Sequence, residues 1–269
     1  MTLFKIEWQT NKKNIMIWSL TLSVVVFFFM SLFPSMMNPE MTEMMTTKLD
    51  SLPENILKAF HLNSGPSLAE PTGFFAYVFQ YVFIAASMYA VMLGSKMLLK
   101  EETEGTIEFL YAQPVSRAKI FFEKLGASLS LVGLLWLVVS GVSLGATLFF
   151  RNDMSTQGEI VSGLSKILVM EFLVLLFFLS LGFLLSSMMK QNNIGLSMGI
   201  VFLFYLLGIV GDLKEEFKVL SDLSPMSQGN PATILDKGIS PMYVLSLVVV
   251  GIIFLGVSLL TYRKKDLEV

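Results

Sequence analysis

The sequence predicts an all-α integral membrane protein with six transmembrane helices. Its 269 residues are 54% hydrophobic and only 15% charged, with a mean hydropathy of +0.69, whereas soluble domains carry about a quarter charged residues. The apolar residues also form continuous runs of roughly 18 or more, which is the length that crosses about 30 Å of hydrocarbon. The predicted spans are 15–33, 74–99, 125–150, 164–189, 194–210 and 242–262.

The segment before the first span, 1–14, mixes apolar and charged residues. Its apolar members are Leu3, Phe4, Ile6 and Trp8, and its charged members are Lys5, Glu7, Lys12 and Lys13. This mixture predicts a helix that lies in the membrane interface, with a frayed polar terminus as the alternative. The residues after the first apolar run, Phe33-Pro34-Ser35-Met36, do not form a small-residue cleavage site, so the run is interpreted as an uncleaved span.

Lysine and arginine residues predict which ends of the spans face the cytoplasm. The denser set lies at 1–14, 100–124, 190 and 263–265, whereas the sparser set lies in the long polar segments 34–73 and 211–241 and at 151. We therefore expect both termini and the loop 100–124 in the cytoplasm, and 34–73 and 211–241 outside. The whole chain, 1–269, is predicted to be one transmembrane domain.

The loop 100–124 carries the strongest concentration of charge between two spans. Four glutamates (Glu101, Glu102, Glu104, Glu108) precede a short pattern with Ile107, Leu110 and Tyr111 on one helical face. Pro114 cannot continue that helix, and Ser116 can cap the next one. These features predict a rigid elbow with an apolar face, although an ordinary cytoplasmic loop is the alternative.

Two stretches resemble the ABC-2 type permeases of ATP-binding cassette transporters. The first, 104–110 (EGTIEFL) followed by 113–117 (QPVSR), is similar to that family's E-G-T-x-E-x-L and P-V-S-R signature. The second, 223–226 (LSPM) with 230–235 (NPATIL), is similar to the L-S-P-F and P-A-x-I-L stretch before the family's last span. Ile107 and Met226 depart from the usual Leu and aromatic residue. Together with the six-span plan, the resemblance covers nearly the whole chain.

The resemblance implies that loop 100–124 contains a coupling helix that contacts a separate ATP-binding subunit, present in two copies per complex. It further implies a second permease copy, as a homodimer or with a sister permease. The residues expected at the ATPase contact are Glu101, Glu102, Glu104, Gly105, Thr106, Ile107, Glu108, Leu110, Tyr111, Pro114 and Arg117. Glu108 and Arg117 are expected to act in docking or in the geometry of the elbow.

ATP hydrolysis is expected on another chain. A phosphate-binding loop needs G-x-x-x-x-G-K-[ST], and Gly94-Ser95-Lys96-Met97 has neither that spacing nor the final Ser or Thr. We therefore expect no cofactor on this chain, with ATP and magnesium held by the partner ATPase.

Glu171 is the one acid predicted well inside a span. Such a group is costly in hydrocarbon and usually faces a cavity or a partner, so Glu171 is a candidate for the transport path. The alternative is that Lys166, nearer the same end of the span, pairs with it, or that the Glu171 side chain extends outward to the membrane surface.

Two small-xxx-small patterns permit close helix approach. Gly195 and Gly199 lie in span five, and Gly141 and Gly145 lie in span three. Packing within one subunit and a dimer seam are both compatible with the pattern. The resemblance favours Gly195 and Gly199 at the seam, because the family pairs through spans one and five.

Several other functions find little support. There is no cysteine, which excludes disulfides, thiolate metal sites and cysteine nucleophiles, and the net charge of −2 favours no nucleic-acid partner. Glu101-Glu102 is similar to the paired glutamates of CAAX-processing membrane proteases, but the Arg expected shortly after them is missing, and the only histidine, His61, lies outside the spans. The chain is therefore predicted to be no enzyme.

No metal site is predicted. The methionines of the first external segment (Met36, Met37, Met41, Met44, Met45) are soft ligands that suit Cu(I), yet such residues more often form an adaptable apolar surface.

The expected function is the export of an amphipathic or hydrophobic cargo, such as a peptide, an antibiotic or a lipid-like molecule, across a bacterial plasma membrane. The alternative is a secondary transporter or channel without an ATPase. Such proteins usually carry several ionisable groups within their spans and paired half-chain repeats, and this sequence shows one such acid and no evident repeat.

Overall fold

A computed structural model describes residues 3–36, 53, 68–106, 115–152, 155–213 and 215–265. These residues form helices and connecting turns, with no strand among them. Six helices are long and apolar enough to cross a membrane, which confirms the predicted fold class. They are α1 (Leu3–Met36), α2 (Pro71–Met97), α4 (Arg117–Phe149), α5 (Gln157–Met188), α6 (Ile194–Leu213) and α10 (Pro241–Lys264).

Shorter elements connect these helices. The loop after α2 contains α3 (Lys100–Thr103), and the segment between α6 and α10 contains a 3₁₀ turn (Glu215–Phe217), α7 (Lys218–Leu223), α8 (Pro225–Gln228) and α9 (Pro231–Lys237).

Most long helices begin before, or end after, the apolar runs that predicted them, and side-chain caps rather than hydropathy set where α4 and α5 begin. The Ser116 side chain accepts a hydrogen bond from the backbone N–H of Lys119 at 3.3 Å, as the sequence predicts, so α4 starts eight residues before the predicted span. Thr156 and Glu159 form a capping box that starts α5 inside a predicted polar turn.

Helices α2 and α5 form the centre of the bundle and run in the same direction. α1 packs along α4, α10 packs along α5, and α6 packs on α2. Aromatic pairs such as Phe33–Phe74 and Trp18–Tyr89 join α1 to α2 in the antiparallel sense. The start of α1 and the end of α10 therefore lie at the same end of the bundle, which is the relation that the predicted topology requires.

Helices α2 and α5 cross at two glycines, Gly94 and Gly182. A Cβ atom placed on Gly182 would lie 2.9 Å from Gly94 Cα and 2.5 Å from the carbonyl oxygen of Val91. Just beyond the crossing, the backbone N–H of Leu98 donates a hydrogen bond of 2.9 Å to Ser186 Oγ. The two helices are therefore in direct backbone contact, which small residues permit in a membrane.

The predicted interfacial helix 1–14 is not a separate element. Residues 3–36 form one continuous helix, and Glu7 and Asn11, within the predicted interfacial part, are buried against the bundle. The physical reason is that no glycine or proline interrupts the sequence between Leu3 and Phe33, so the helix continues from the polar segment into the apolar run.

The polar segment 211–241 folds back against the bundle, which its composition did not indicate. Ser224 Oγ donates to the carbonyl oxygen of Phe204 on α6 at 2.6 Å, and Asn230 Nδ2 donates to Gln80 Oε1 on α2 at 3.2 Å. Both side chains also cap a short helix that has proline at its first position. The second resemblance stretch is thus largely buried, with Met226 and Ile234 in the core.

Replacement of Gly182 by alanine is expected to destabilise the bundle. The added methyl would meet backbone atoms of α2, and overpacking of this kind costs about 1–3 kcal/mol or more, which outweighs the roughly 1 kcal/mol gain in helix propensity. The measurement is the thermal unfolding midpoint of the purified chain in detergent. Gly199→Ala is the matched control because nothing lies within 4 Å of its added Cβ; equal midpoints for the two variants would contradict the prediction.

Candidate functional site at the charged end of the bundle

The candidate site is the end of the bundle from which loop 100–124 emerges, here called the charged end. It brings together the start of α1, the end of α2, α3, the start of α4 and the ends of α5 and α10. The opposite end carries the segment 211–241.

Lys124 is the centre of this end. Its side chain is fully buried, and its ammonium group contacts Glu101 Oε1 at 2.5 Å, Glu7 Oε1 at 3.1 Å and the carbonyl oxygen of Met97 at 2.5 Å. A lysine ammonium has three N–H donors, so these three acceptors use them all. The group therefore joins α4 to α1, to the end of α2 and to α3.

Glu7 extends the same cluster from α1. Its side chain is 1% exposed, and its second oxygen accepts from Lys100 Nζ at 3.3 Å. One turn later, Asn11 donates to the Glu7 carbonyl oxygen at 2.9 Å and accepts from Lys96 Nζ at 2.8 Å. Each of these buried polar groups has a partner, as stable burial requires.

A second cluster ties α10 to the loop. Lys265 Nζ contacts Glu102 Oε2 at 2.6 Å and the carbonyl oxygen of Met189 at 3.1 Å. Arg117 donates to the carbonyl oxygens of Lys265 at 2.7 Å and Arg263 at 3.0 Å. A cation at the end of a helix satisfies its last carbonyl groups and is favoured by the helix dipole. The first turn of α4 is thereby fixed to the end of α10.

The described part of the loop leaves α3 through a tight turn at Gly105. Its φ of 68° lies in the left-handed region that favours glycine. The N–H of Thr106 donates to the Glu101 carbonyl oxygen at 2.9 Å, and the N–H of Gly105 donates to that of Glu102 at 3.4 Å, the two bonds of a Schellman motif. The Glu-Gly-Thr stretch therefore stops α3 and leaves Glu104 and Thr106 exposed.

The predicted contact residues fall into three groups. Glu101, Glu102 and Arg117 bind other parts of this chain, whereas Glu104, Gly105 and Thr106 are exposed. The remaining ones, Ile107, Glu108, Leu110, Tyr111 and Pro114, lie outside the described residues, as do His61 and the methionines at 37, 41, 44 and 45.

Sequence reasoning missed Glu7, Lys124 and Lys265 as members of this site. In the sequence, Lys124 indicates only a cytoplasmic charge, and Glu7 indicates only part of an interfacial helix. A local signal was present at Glu7, because Asn11 follows it one helical turn later and would share a buried face. The pairing of Lys124 with Glu7 has no local signal, since 117 residues separate them.

Glu171 lies away from this end, in the middle of α5. Its side chain is fully buried, and neither carboxyl oxygen has a hydrogen-bond partner among the described residues. The alternative that Lys166 pairs with it is therefore wrong, and Lys166 is exposed. Trp136 Nε1, on α4, donates to the carbonyl oxygen of Leu168, one turn before Glu171.

The two glycine pairs face outward. All four glycines are exposed: Gly195 and Gly199 on α6, and Gly141 and Gly145 on α4. Among the described residues, only the neighbouring Asn193 lies within 4 Å of an added Cβ atom, at Gly195. Neither pair is used for packing within the described part of this chain. That role belongs to Gly94 and Gly182.

Within the described ranges, no group of three or more acidic or histidine side chains is placed to hold a metal ion. A family model described as ABC-2 family transporter protein matches residues 1–267. Comparison with curated proteins gives no significant match.

Replacement of Lys124 by methionine is expected to destabilise the charged end strongly. It would leave two carboxylates facing each other without their shared cation, and breaking a buried ion pair in this way costs about 3–5 kcal/mol. The measurement is again thermal unfolding in detergent, with Lys119→Met, an exposed lysine on the same helix, as the control.

The triple variant Glu7→Gln, Glu101→Gln, Lys124→Met tests whether unpaired charge causes the loss of stability in Lys124→Met. It removes Lys124 together with the two carboxylates that it binds, and Lys100, the other partner of Glu7, is 20% exposed to solvent, so the variant should recover much of the lost stability. A triple variant as unstable as Lys124→Met would show that the lysine acts through packing rather than charge.

Proposed function

This chain belongs to the ABC-2 family of transporter proteins, and we propose that it is the membrane-spanning permease subunit of an ATP-driven exporter. In this proposal, two copies of a separate ATP-binding subunit hydrolyse ATP, and the chain converts that work into export of an amphipathic or hydrophobic cargo. The observation that carries the proposal is the charged end, where the loop 100–124 is held to α1, to the end of α2 and to the end of α10.

The two anchored sides of the loop support its role in transmitting force. On one side, Glu101 and Glu102 hold α3 to Lys124 and Lys265. On the other side, Arg117 holds the start of α4 to the end of α10. Residues 104–115 are therefore flanked by contacts to the bundle on both sides, and we propose that a force applied to this part is passed to α1, α4 and α10.

The docking surface proposed for the ATPase is the part of the loop between Glu102 and Arg117, the two residues that hold its ends to the bundle. Glu104 and Thr106 are exposed, and Glu108 follows in the sequence. Glu101 and Glu102 are proposed to act indirectly, because their carboxylates are engaged within the chain. This divides the predicted contact residues into docking residues and residues that position the loop.

The cargo proposal depends on the apolar character of the bundle. The chain contains 23 phenylalanines and 18 methionines, which form adaptable apolar surfaces. We include Glu171 in the transport path because a buried carboxyl without a partner is costly and such groups in membranes usually serve function. It would meet cargo only in a conformation in which the helices around it separate.

The proposed assembly contains a second permease copy that contacts α6. Gly195 and Gly199 present a surface where another backbone can approach closely, and α6 exposes apolar neighbours such as Phe202 and Leu203. We further propose that the charged end faces the cytoplasm of a bacterial cell, because lysine and arginine concentrate there.

Charge reversal at Glu104 and Glu108, by Glu104→Lys with Glu108→Lys, is expected to uncouple the complex. ATPase stimulation by a panel of peptides, lipids and antibiotics should fall about tenfold or more, since repulsion replaces attraction at the docking surface. The unfolding midpoint of the permease should stay unchanged because neither residue is one of the anchoring residues Glu101, Glu102 and Arg117.

The matched control is Glu216→Lys, an exposed acid at the opposite end. Normal co-purification of the ATPase together with normal stimulation in the Glu104→Lys, Glu108→Lys variant would refute the docking assignment.

The proposed dimer seam can be tested with single cysteines because the natural chain has none. Gly199→Cys in native membranes should form a disulfide-linked dimer on mild oxidation, as the two copies of this position would lie within about 7 Å. Gly145→Cys, at an equally exposed glycine of α4, should remain a monomer. Dimers from Gly145→Cys alone would move the seam to α4.

A further inference from the structure

An apolar groove runs between α4, α5 and α10 on the outside of the bundle. Its walls include Leu125 and Leu129 from α4 and Ile252 and Leu255 from α10, and Leu176 and Leu179 of α5 contribute to the remaining lining. Leu129 and Ile252 are 40% and 62% exposed, so the groove is open along its length. In a membrane-spanning bundle, such an opening faces the hydrocarbon of the bilayer.

Exposed cations lie beyond the groove at the charged end. Arg263 and Lys264 end α10, and Lys119 lies in the first turn of α4; all three side chains are exposed. Phe122 is 57% exposed between this level and the groove. The same two helices therefore present a basic rim followed by an apolar channel.

The depth of the groove below the basic rim matches the thickness of one leaflet of a bilayer. The ring centroids of Phe121 and Tyr262 lie 6.5 Å apart and mark the same level on α4 and α10. At 1.5 Å per residue, Leu125 and Leu129 lie about 6 and 12 Å below this level, and Leu255 and Ile252 about 10 and 15 Å below it. Half of a hydrocarbon core is about 15 Å thick, so an acyl chain that starts at the rim reaches these side chains.

We propose that this groove binds an anionic phospholipid, with one acyl chain between α4 and α10 and its phosphate at Arg263, Lys264 and Lys119. Basic residues beside a cleft between transmembrane helices are the arrangement that binds anionic headgroups. The bound chain would fill the space between α10 and α4, which contact each other much less than either contacts its main partner helix. Such a lipid would stabilise the position of α10, whose end also holds Arg117.

A second copy of the chain is the competing occupant. The outward glycines of α6, proposed above as the seam, lie on a helix that packs on α2 and the segment 211–241 rather than on α4 or α10. The basic rim also disfavours a second copy, because a two-fold contact here would bring like charges together. The lipid proposal is independent of the exporter function and survives if that function is wrong.

The test is native mass spectrometry of the full chain released from detergent. The chain is first incubated with equal amounts of phosphatidylglycerol and phosphatidylcholine that carry identical acyl chains. The wild-type chain should retain phosphatidylglycerol about fivefold or more over phosphatidylcholine, because about 1 kcal/mol, the contribution of a single cation, already corresponds to about fivefold. Arg263→Glu with Lys264→Glu should abolish this preference. Ile252→Trp and Leu129→Trp should reduce binding of both lipids and leave their ratio unchanged.

Two variants serve as matched controls. Lys12→Glu with Lys13→Glu reverses exposed charges at the same end on α1, and Leu137→Trp enlarges a residue of α4 that is 73% exposed and away from the groove. Both should bind lipid like the wild-type chain, and thermal unfolding midpoints verify that all variants fold. Equal retention of the two lipids by the wild-type chain, or equal loss in the controls, would overturn the proposal. Conversion of dimers to monomers by Ile252→Trp would also overturn it and assign the groove to a second copy.

Discussion

The contacts of the Lys124 ammonium group determine how one end of this protein is assembled. A lysine without any exposure is stable only if all its N–H donors find acceptors, and here the acceptors come from α1, α2 and α3. The start of α1, which lies far from the other three segments in the chain, must therefore meet α2, α3 and α4 at one point. Because a lost partner leaves a buried charge uncompensated, this cluster defines a single arrangement of the charged end.

The same cluster connects structure to the proposed function. A transporter subunit driven by another protein needs a part that receives force and a rigid connection from it to the helices that move. Glu101 and Arg117 connect the loop 100–124 to α4 and to the end of α10. A little further into the bundle, the backbone contact of Gly94 with Gly182 joins α2 to α5. Water is absent in the hydrocarbon region, so these polar contacts concentrate at the end of the bundle, where charges are tolerated.

Much of the fold follows from local patterns in the sequence. Apolar runs located six helices, and Ser116 was recognised as the cap of α4 from its position after Pro114. The same kind of reasoning did not join 1–14 to the first span as one helix, and it did not indicate that 211–241 packs against the bundle. Ser224-Pro225 and Asn230-Pro231 are cap-and-proline pairs that signal short helices, but whether those helices lie in water or against α2 depends on Gln80 and other distant partners.

The local sequence determined the helices, their caps and the accumulation of charge at one end, because hydropathy, periodicity and capping act between residues that are neighbours in the chain. The tertiary structure alone decided which charges pair and which glycines allow contact. Glu101 and Glu104 look alike in the sequence, yet one is bound to Lys124 and the other is exposed. Gly182 and Gly199 differ in the same way, since a partner backbone lies against only one of them within the described chain. Such choices depend on distances between segments far apart in sequence, and no local pattern encodes those distances.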